Sequence, residues 1–135
     1  MSNNKDKKDK INIYKEISQL QTCNLEIYMR MFFIFIKRMY PVLRNFPTHE
    51  RYALTKDIKT YFLAYLDNVN KANNVRSKRL YYAERAESEL HNIKMALAIA
   101  CHEKYVSIGF YKDVSTELTE IDKMLTSYIR KSHKK

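Results

Sequence analysis

Neighbouring histidine and glutamate residues are the first features of this sequence that could hold a metal ion. A His-Glu pair occurs twice, beginning at His49 and at His102. A zinc-protease helix needs a second histidine four residues after the first, and those positions hold Ala53 and Val106. A di-iron bundle site needs glutamate three residues before a histidine, and none of the four histidines has one. The sequence therefore predicts no metal site and no cofactor.

Acid–base catalysis is the next chemistry to weigh, because Glu84, Glu87 and Glu89 lie close together. They share a predicted helix with Arg85, which favours a solvated, charge-paired face over a catalytic carboxylate pair. Glu87 and His91 are one helical turn apart, so we expect a surface pair there. The chain has a single glycine, which excludes a phosphate-cradling glycine-rich loop and a serine nucleophile elbow. The sequence therefore predicts a protein that is not an enzyme.

The cysteines and the longest apolar stretch bear on compartment. Cys23 and Cys101 are isolated, so they make neither a disulfide framework nor a zinc site. We expect reduced thiols in a cytoplasmic protein. The charged N-terminus does not resemble a signal peptide. Residues 25–36 are the most apolar, but they include Glu26 and Arg30 and fall short of the ~20 residues that a membrane-spanning helix needs.

The charge balance predicts an anionic partner. The chain carries 25 lysines and arginines against 15 acidic residues, a net charge of +10, which is more than solubility requires. We expect charged tails at residues 1–10 and 131–135 around one domain at 11–130. The predicted phosphate contacts are basic residues on helices or at loop edges, where a rigid scaffold holds them: Lys37, Arg38, Arg44, Arg51, Lys56, Lys59, Arg76, Lys78, Arg79 and Lys94.

The pattern that must position these residues is helical throughout. One glycine and two prolines supply too few turns for a β-sandwich or an α/β domain. The first helix should span residues 11–46, with a possible break at 21–24 and a kink at Pro41. Its segment 28–36 is apolar nearly all round, which predicts that a second subunit covers part of it. The predicted interface residues are Tyr28, Met31, Phe32, Phe33, Phe35 and Ile36.

Three further helices complete an up-down-up-down four-helix bundle that assembles as a homo-oligomer. The second should span residues 48–71, with Thr48 as its N-cap, and should end in a polar loop at 68–74. The third should span residues 77–103, and Gly109 should lie in the following connection. In the fourth, apolar residues recur at steps of four and three, which predicts a straight packing seam: Val114, Leu118, Ile121, Leu125 and Tyr128.

The order of short motifs between residues 25 and 129 resembles a known family. In chain order they are YP at 40–41, NFP at 45–47, HERYAL at 49–54, AN at 72–73, RLYYA at 79–83, LAIA at 97–100, the Gly109 region, LTEIDKML at 118–125 and YI at 128–129. This series is similar to the accessory variability determinant (Avd) proteins of diversity-generating retroelements. They belong to a wider four-helix-bundle family that includes proteins encoded in intervening sequences of ribosomal RNA genes. Several relatives have a tryptophan in the last helix where this chain has Tyr128.

The resemblance implies a non-catalytic, basic homopentamer that binds a reverse transcriptase and template-repeat RNA during mutagenic reverse transcription. A second interpretation is an intervening-sequence protein with the same fold, a structural or host role and no polymerase partner. A third, a metallo-bundle enzyme, lacks the ligand motifs. Tyrosines interleaved with basic residues, as at Tyr81 and Tyr82 after Arg79, could stack on single-stranded bases, although tyrosines in bundles more often pack by the ring.

Overall fold

The computed structural model of the protein describes residues 11–13, 15 and 25–133, and within them it is helical without a β-strand. The predicted all-α class is confirmed. The described elements are α1 (Leu25–Phe33), a π-helix (Ile34–Met39), α2 (Tyr40–Leu43), a 3-10 turn (Thr48–Glu50), α3 (Leu54–Asn74), a second 3-10 turn (Arg76–Lys78), α4 (Arg79–His102) and α5 (Ile108–His133). Cys23, the predicted tail at 1–10 and the possible break at 21–24 lie outside the described residues.

The first of the four helices is continuous from α1 through the π-helix to α2, and Pro41 accounts for its irregular middle. Proline has no backbone N–H to donate and its ring crowds the preceding turn. The helix widens just before it, so that the N–H of Tyr40 donates to the carbonyl of Phe35, five residues back. The predicted distortion at Pro41 is therefore a wide π-turn that lets the helix continue to Leu43.

The four helices surround one apolar core. Helix α3 packs on α4, α4 on α5, and α1 on both α3 and α5, as the bundle prediction requires. The predicted seam of α5 is confirmed, because Val114, Leu118, Ile121 and Leu125 are all buried. Across the core the Phe35 and Phe62 rings stack, with centroids 4.8 Å apart. Every helix in the described part is too short or too polar to be a candidate for a membrane span.

Much of the apolar character of the first helix is used inside this chain, which corrects part of the predicted subunit interface. Met31 and Phe35 are fully buried in the chain's own core. The physical reason is that α1 lies between two neighbours, α3 and α5, so two of its faces are covered without a second subunit. Three more of the predicted residues are half-buried against that core: Tyr28, Phe32 and Ile36. Phe33 is 47% exposed and remains available to a partner.

The predicted polar loop at residues 68–74 is wrong, because α3 continues to Asn74. Asn68 and Asn73 are buried. The side-chain amide of Asn68 donates to the carbonyl of Ala64, 2.9 Å away, so it is satisfied within its own helix. The asparagine-rich composition suggested a loop, but packing of the following helix against this turn overrides the weak local preference.

Two predicted helix starts also need correction. Thr48 opens a 3-10 turn, and α3 begins six residues later at Leu54. Gly109 lies in the first turn of α5 rather than in the connection before it. The left-handed residue of that connection is Lys104, with φ of 63°. Helix α5 is capped by Ser107, whose hydroxyl accepts the N–H of Phe110 at 3.0 Å.

Candidate nucleic-acid interface

A groove of about 800 Å³ lies where the chain passes from α2 into α3. Its walls come from the end of the first helix, the 3-10 turn and the first three turns of α3. We call it the basic groove and define it by its lining residues: Leu43, Arg44, Phe46, Pro47, Thr48, Arg51, Tyr52, Thr55, Lys56, Lys59, Thr60 and Leu63. Four of the ten predicted phosphate contacts therefore share one site.

The four cations of the basic groove face no carboxylate in its lining. Arg44, Arg51 and Lys56 are exposed, and Lys59 is half-buried with its ammonium 5.1 Å from the centre of the Tyr40 ring. Within the described part of the chain, none of the four has a carboxylate oxygen within 4.0 Å. Their positive charge is uncompensated, so the groove attracts anions.

Hydroxyl groups and exposed apolar surface alternate with these cations. Thr48, Thr55 and Thr60 offer hydroxyls, which commonly bind phosphate oxygens and sugars. Tyr52 is 82% exposed and Leu63 is 56% exposed. An anion that bound by charge alone would not need Tyr52 or Leu63. Burying these two side chains against a ligand would contribute favourable free energy to binding.

Glu50 stabilises the 3-10 turn that forms part of the groove wall. One oxygen of its carboxylate accepts the Tyr105 hydroxyl at 2.9 Å, and the other lies 3.4 Å from the backbone N–H of Leu54 at the start of α3. The Tyr105 ring also packs on Phe46 with centroids 5.2 Å apart. Desolvation, followed by the hydrogen bond to Glu50, raises the pKa of Tyr105 above its usual value. The one carboxylate of the turn is thus engaged by the α4–α5 connection.

The other predicted phosphate contacts lie elsewhere. Arg38 pairs with Glu117 at 3.3 Å and lies over the Phe110 ring, and Lys94 lies 3.8 Å from Asp122. These two cations are therefore partly neutralised. Lys37 is exposed on the π-helix, outside the groove.

At the far end of α3, Arg79 has a structural role. Its Nε donates to the carbonyl of Ala72 at 3.0 Å and an NH2 group donates to that of Asn73 at 3.3 Å. Arg76 and Lys78 beside it are exposed. The groove lining reaches Leu63 and α3 ends at Asn74, so this end lies about 16 Å beyond the groove at 1.5 Å per residue. The predicted contacts thus fall into separate surfaces.

Tyr52 and the three threonines were not among the predicted site residues. Part of a signal exists in the sequence, because residues four apart lie on one strip of a helical surface. Within α3 one strip joins Lys56 and Thr60, and another joins Thr55, Lys59 and Leu63. Thr48 and Tyr52 precede α3, so helical spacing does not place them in the groove.

Of the three carboxylates that could have suggested catalysis, Glu87 contacts the neighbouring helix α5. Glu87 accepts the Thr126 hydroxyl at 3.3 Å. His91 lies 4.0 Å from Asp122 of α5, in place of the predicted pair with Glu87. No group of three or more histidine, cysteine or acidic residues in the described ranges is arranged to hold a metal ion.

The chain matches the profile of a known protein family. The profile of the family described as bAvd-like matches residues 26–132, which contain the whole of the basic groove and nearly all of the four helices. No curated protein and no solved structure matches the chain.

Proposed function

The chain belongs to the bAvd-like family, and from that premise we propose that it is a non-enzymatic RNA-binding accessory factor for the reverse transcriptase of a diversity-generating retroelement. The observation that carries the proposal is the basic groove, where four cations lie together without a carboxylate partner in the described structure. Phosphate groups are the ligands such a cluster attracts most strongly, because binding releases counterions from the nucleic acid. Template-repeat RNA is the proposed ligand.

The first test removes charge from the groove without changing its walls. Arg44, Arg51 and Lys56 are exposed, so changing all three to Gln should leave folding intact. We expect RNA affinity to fall by about tenfold or more, and the slope of log affinity against log salt to become shallower by about two, at about 0.7 per phosphate of a single strand. Fluorescence anisotropy with labelled RNA over a salt series measures both.

The matched control removes the same charge elsewhere. Arg76, Lys78 and Lys112 are exposed and lie outside the basic groove. Changing these three to Gln lowers the net charge equally but should weaken binding far less. If the control variant loses as much affinity as the groove variant, net charge rather than the groove attracts RNA. If the parent protein binds no RNA at all, the proposal is wrong and an acidic protein is the partner to test next.

We further propose that the protein assembles as a closed homo-oligomer, a pentamer by analogy with the family. Support comes from a smaller surface groove of about 330 Å³ whose lining is mainly apolar: Met29, Arg30, Phe33, Ile34 and Glu117. Burying an exposed phenylalanine contributes roughly 1.5–3 kcal/mol. Light scattering should give a multiple of the 16.2 kDa chain mass, and a monomer mass would contradict the proposal.

A matched pair of variants tests whether Phe33 is the contact. Phe33 and Ile99 are equally exposed, at 47% and 46%, but only Phe33 lines the apolar groove. Phe33→Gln should lower the oligomer mass and Ile99→Gln should not. The reverse result would place the subunit contact on the outer face of α4.

The polymerase partnership has its own measurement. The purified protein and the reverse transcriptase of its own retroelement should co-elute from a size-exclusion column as one complex. Separate elution at micromolar concentrations, with RNA both present and absent, would remove the polymerase from the proposal and leave an RNA-binding protein.

A further inference from the structure

We propose that the basic groove binds single-stranded rather than duplex RNA, with an unpaired base stacked on the Tyr52 ring and the flanking phosphates on Arg44, Lys56 and Lys59. The inference rests on the proposed RNA-binding function and deepens it, since it names the form of RNA and the residue that selects it. It is carried by the combination of one strongly exposed aromatic ring with cations and hydroxyls in a single groove.

Tyr52 is placed to receive a ligand. At 82% exposure it is the most exposed large hydrophobic side chain in the described part of the protein. The turn between the 3-10 helix and α3 presents it on the groove wall. The guanidinium of Arg51 lies 6.0 Å from the ring centre, at the outer limit of a cation–π contact, so the ring gains little from its own chain.

The groove has room and chemistry for a strand whose bases are free. Its volume of about 800 Å³ lies in the range of roughly 300–1,000 Å³ that is typical of sites for small ligands. Tyr52 lies in the turn just before α3, and Lys56 and Thr60 lie one helical turn apart within α3. An aromatic ring, cations and hydroxyls in one groove offer partners for the base, the phosphate and the ribose of a single strand.

A duplex would leave the ring unused. Paired bases are stacked on one another inside the helix, and the deep, narrow major groove of A-form RNA does not admit side chains. The duplex would contact only the cations and hydroxyls, so its affinity should not depend on Tyr52. An unpaired base offers an open π-face, and every base type has one, so binding should tolerate sequence changes.

The test compares one labelled RNA strand, free and annealed to its complement, by fluorescence anisotropy at constant salt. Tyr52→Leu keeps apolar bulk but removes the ring, and we expect about a tenfold loss of affinity for the single strand with little change for the duplex. Tyr52→Phe keeps the ring and should bind the single strand within about twofold of the parent. Because the side chain is exposed, thermal melting of all variants should be unchanged.

Tyr81 provides the matched control. It is 53% exposed and lies 5.6 Å from the Arg85 guanidinium on α4, outside the groove. Tyr81→Leu should leave single-strand binding intact. The inference is overturned if Tyr52→Leu binds like the parent, if it weakens both RNA forms equally, or if Tyr81→Leu costs as much. A parent protein that binds neither form would instead overturn the proposed function on which the inference rests.

Discussion

An arginine lies near each end of helix α3, Arg51 in the turn before it and Arg79 at the start of α4, and the two have different environments. Arg51 is exposed, and its guanidinium lies 6.0 Å from the centre of the Tyr52 ring. Arg79 is half-buried and donates to two backbone carbonyls at the end of α3. One arginine is available to an outside anion, whereas the other completes the hydrogen bonding of a helix end.

The difference follows from which helix terminus each arginine meets. A helix C-terminus leaves carbonyls without intrahelical partners, and a cation there is favoured by both hydrogen bonding and the helix dipole. The Tyr128 hydroxyl from α5 donates to the same Ala72 carbonyl at 3.2 Å. At the other end the first N–H of α3 meets Glu50, so Arg51 has no carbonyl to satisfy. A basic residue in the sequence is thus not by itself a ligand contact.

The largest expected difference between the two arginines is in how much each contributes to the free energy of unfolding. Arg79→Ala should lower the free energy of unfolding by about 2 kcal/mol, because charge-assisted hydrogen bonds to partly buried carbonyls are lost. Arg51→Ala should change it by less than about 0.5 kcal/mol, as exposed surface substitutions do. Urea denaturation followed by circular dichroism measures both. If the two variants are equally stable, the hydrogen bonds from Arg79 to the two carbonyls do not contribute to the free energy of unfolding.

For RNA binding, the relative size of the two effects should reverse. Arg51→Ala should weaken RNA binding, whereas Arg79→Ala, assayed well below its unfolding midpoint, should bind almost as the parent does. A stable Arg79→Ala protein with weak RNA binding would return Arg79 to the set of phosphate contacts.

The sequence predicted the regular parts of this fold because burial and spacing agree there. The α5 seam repeats at steps of four and three, and each of its first four residues is buried. The end of α3 was mispredicted because Asn68 and Asn73 are loop formers by composition, and only tertiary packing makes them helical. Nothing in the local sequence indicates that Arg79 would reach back seven residues to Ala72.

The sequence indicated that basic residues form the candidate site, but it did not indicate which of them lie together. The excess of lysine and arginine indicated an anionic partner, and Arg44, Arg51, Lys56 and Lys59 were among the predicted contacts. Whether a cation is free depends on partners from distant segments: Glu117 reaches Arg38 across 79 residues of sequence. Single-sequence periodicity carries no information about such pairs, so free and paired cations could not be separated.

A smaller effect on the free energy of unfolding is expected in the middle of α3. There Tyr65 tests the cost of a buried polar group without a hydrogen-bond partner in the described structure, whereas backbone groups at both ends of the helix are hydrogen-bonded. Its buried hydroxyl has no hydrogen-bond partner in the described structure. Tyr65→Phe removes this group with little change of shape, so the free energy of unfolding should stay constant or rise by up to about 1 kcal/mol. A loss of stability in urea denaturation would mean that the hydroxyl is hydrogen-bonded in solution.

Tyr65 also gives a pH dependence with a definite sign. Burial, followed by the nearby Asp122 carboxylate, raises the pKa of its phenol above the ordinary value of 10.0. The folded protein then holds this proton to higher pH than the unfolded chain does, so stability should fall as pH rises above about 10. Tyr65→Phe should remove part of that fall. Tyr28 and Tyr105, whose pKa values are also raised, should account for some of the remainder.

The smallest effect concerns Arg38, a basic residue that lies between the two extremes because it is partly exposed and also paired. Its NH1 group is 3.3 Å from Glu117 of α5, and both side chains retain about a third of their exposure. Solvent screening limits such a pair, so a double-mutant cycle with Arg38→Gln and Glu117→Gln should give a coupling of about 0.5 kcal/mol. The coupling should shrink in high salt. Because Glu117 already offsets the charge, Arg38→Gln should weaken RNA binding less than Arg51→Gln does. If the two variants weaken it equally, the carboxylate does not occupy Arg38 in solution, and a carboxylate within 4 Å is no guide to which cations of this protein bind RNA.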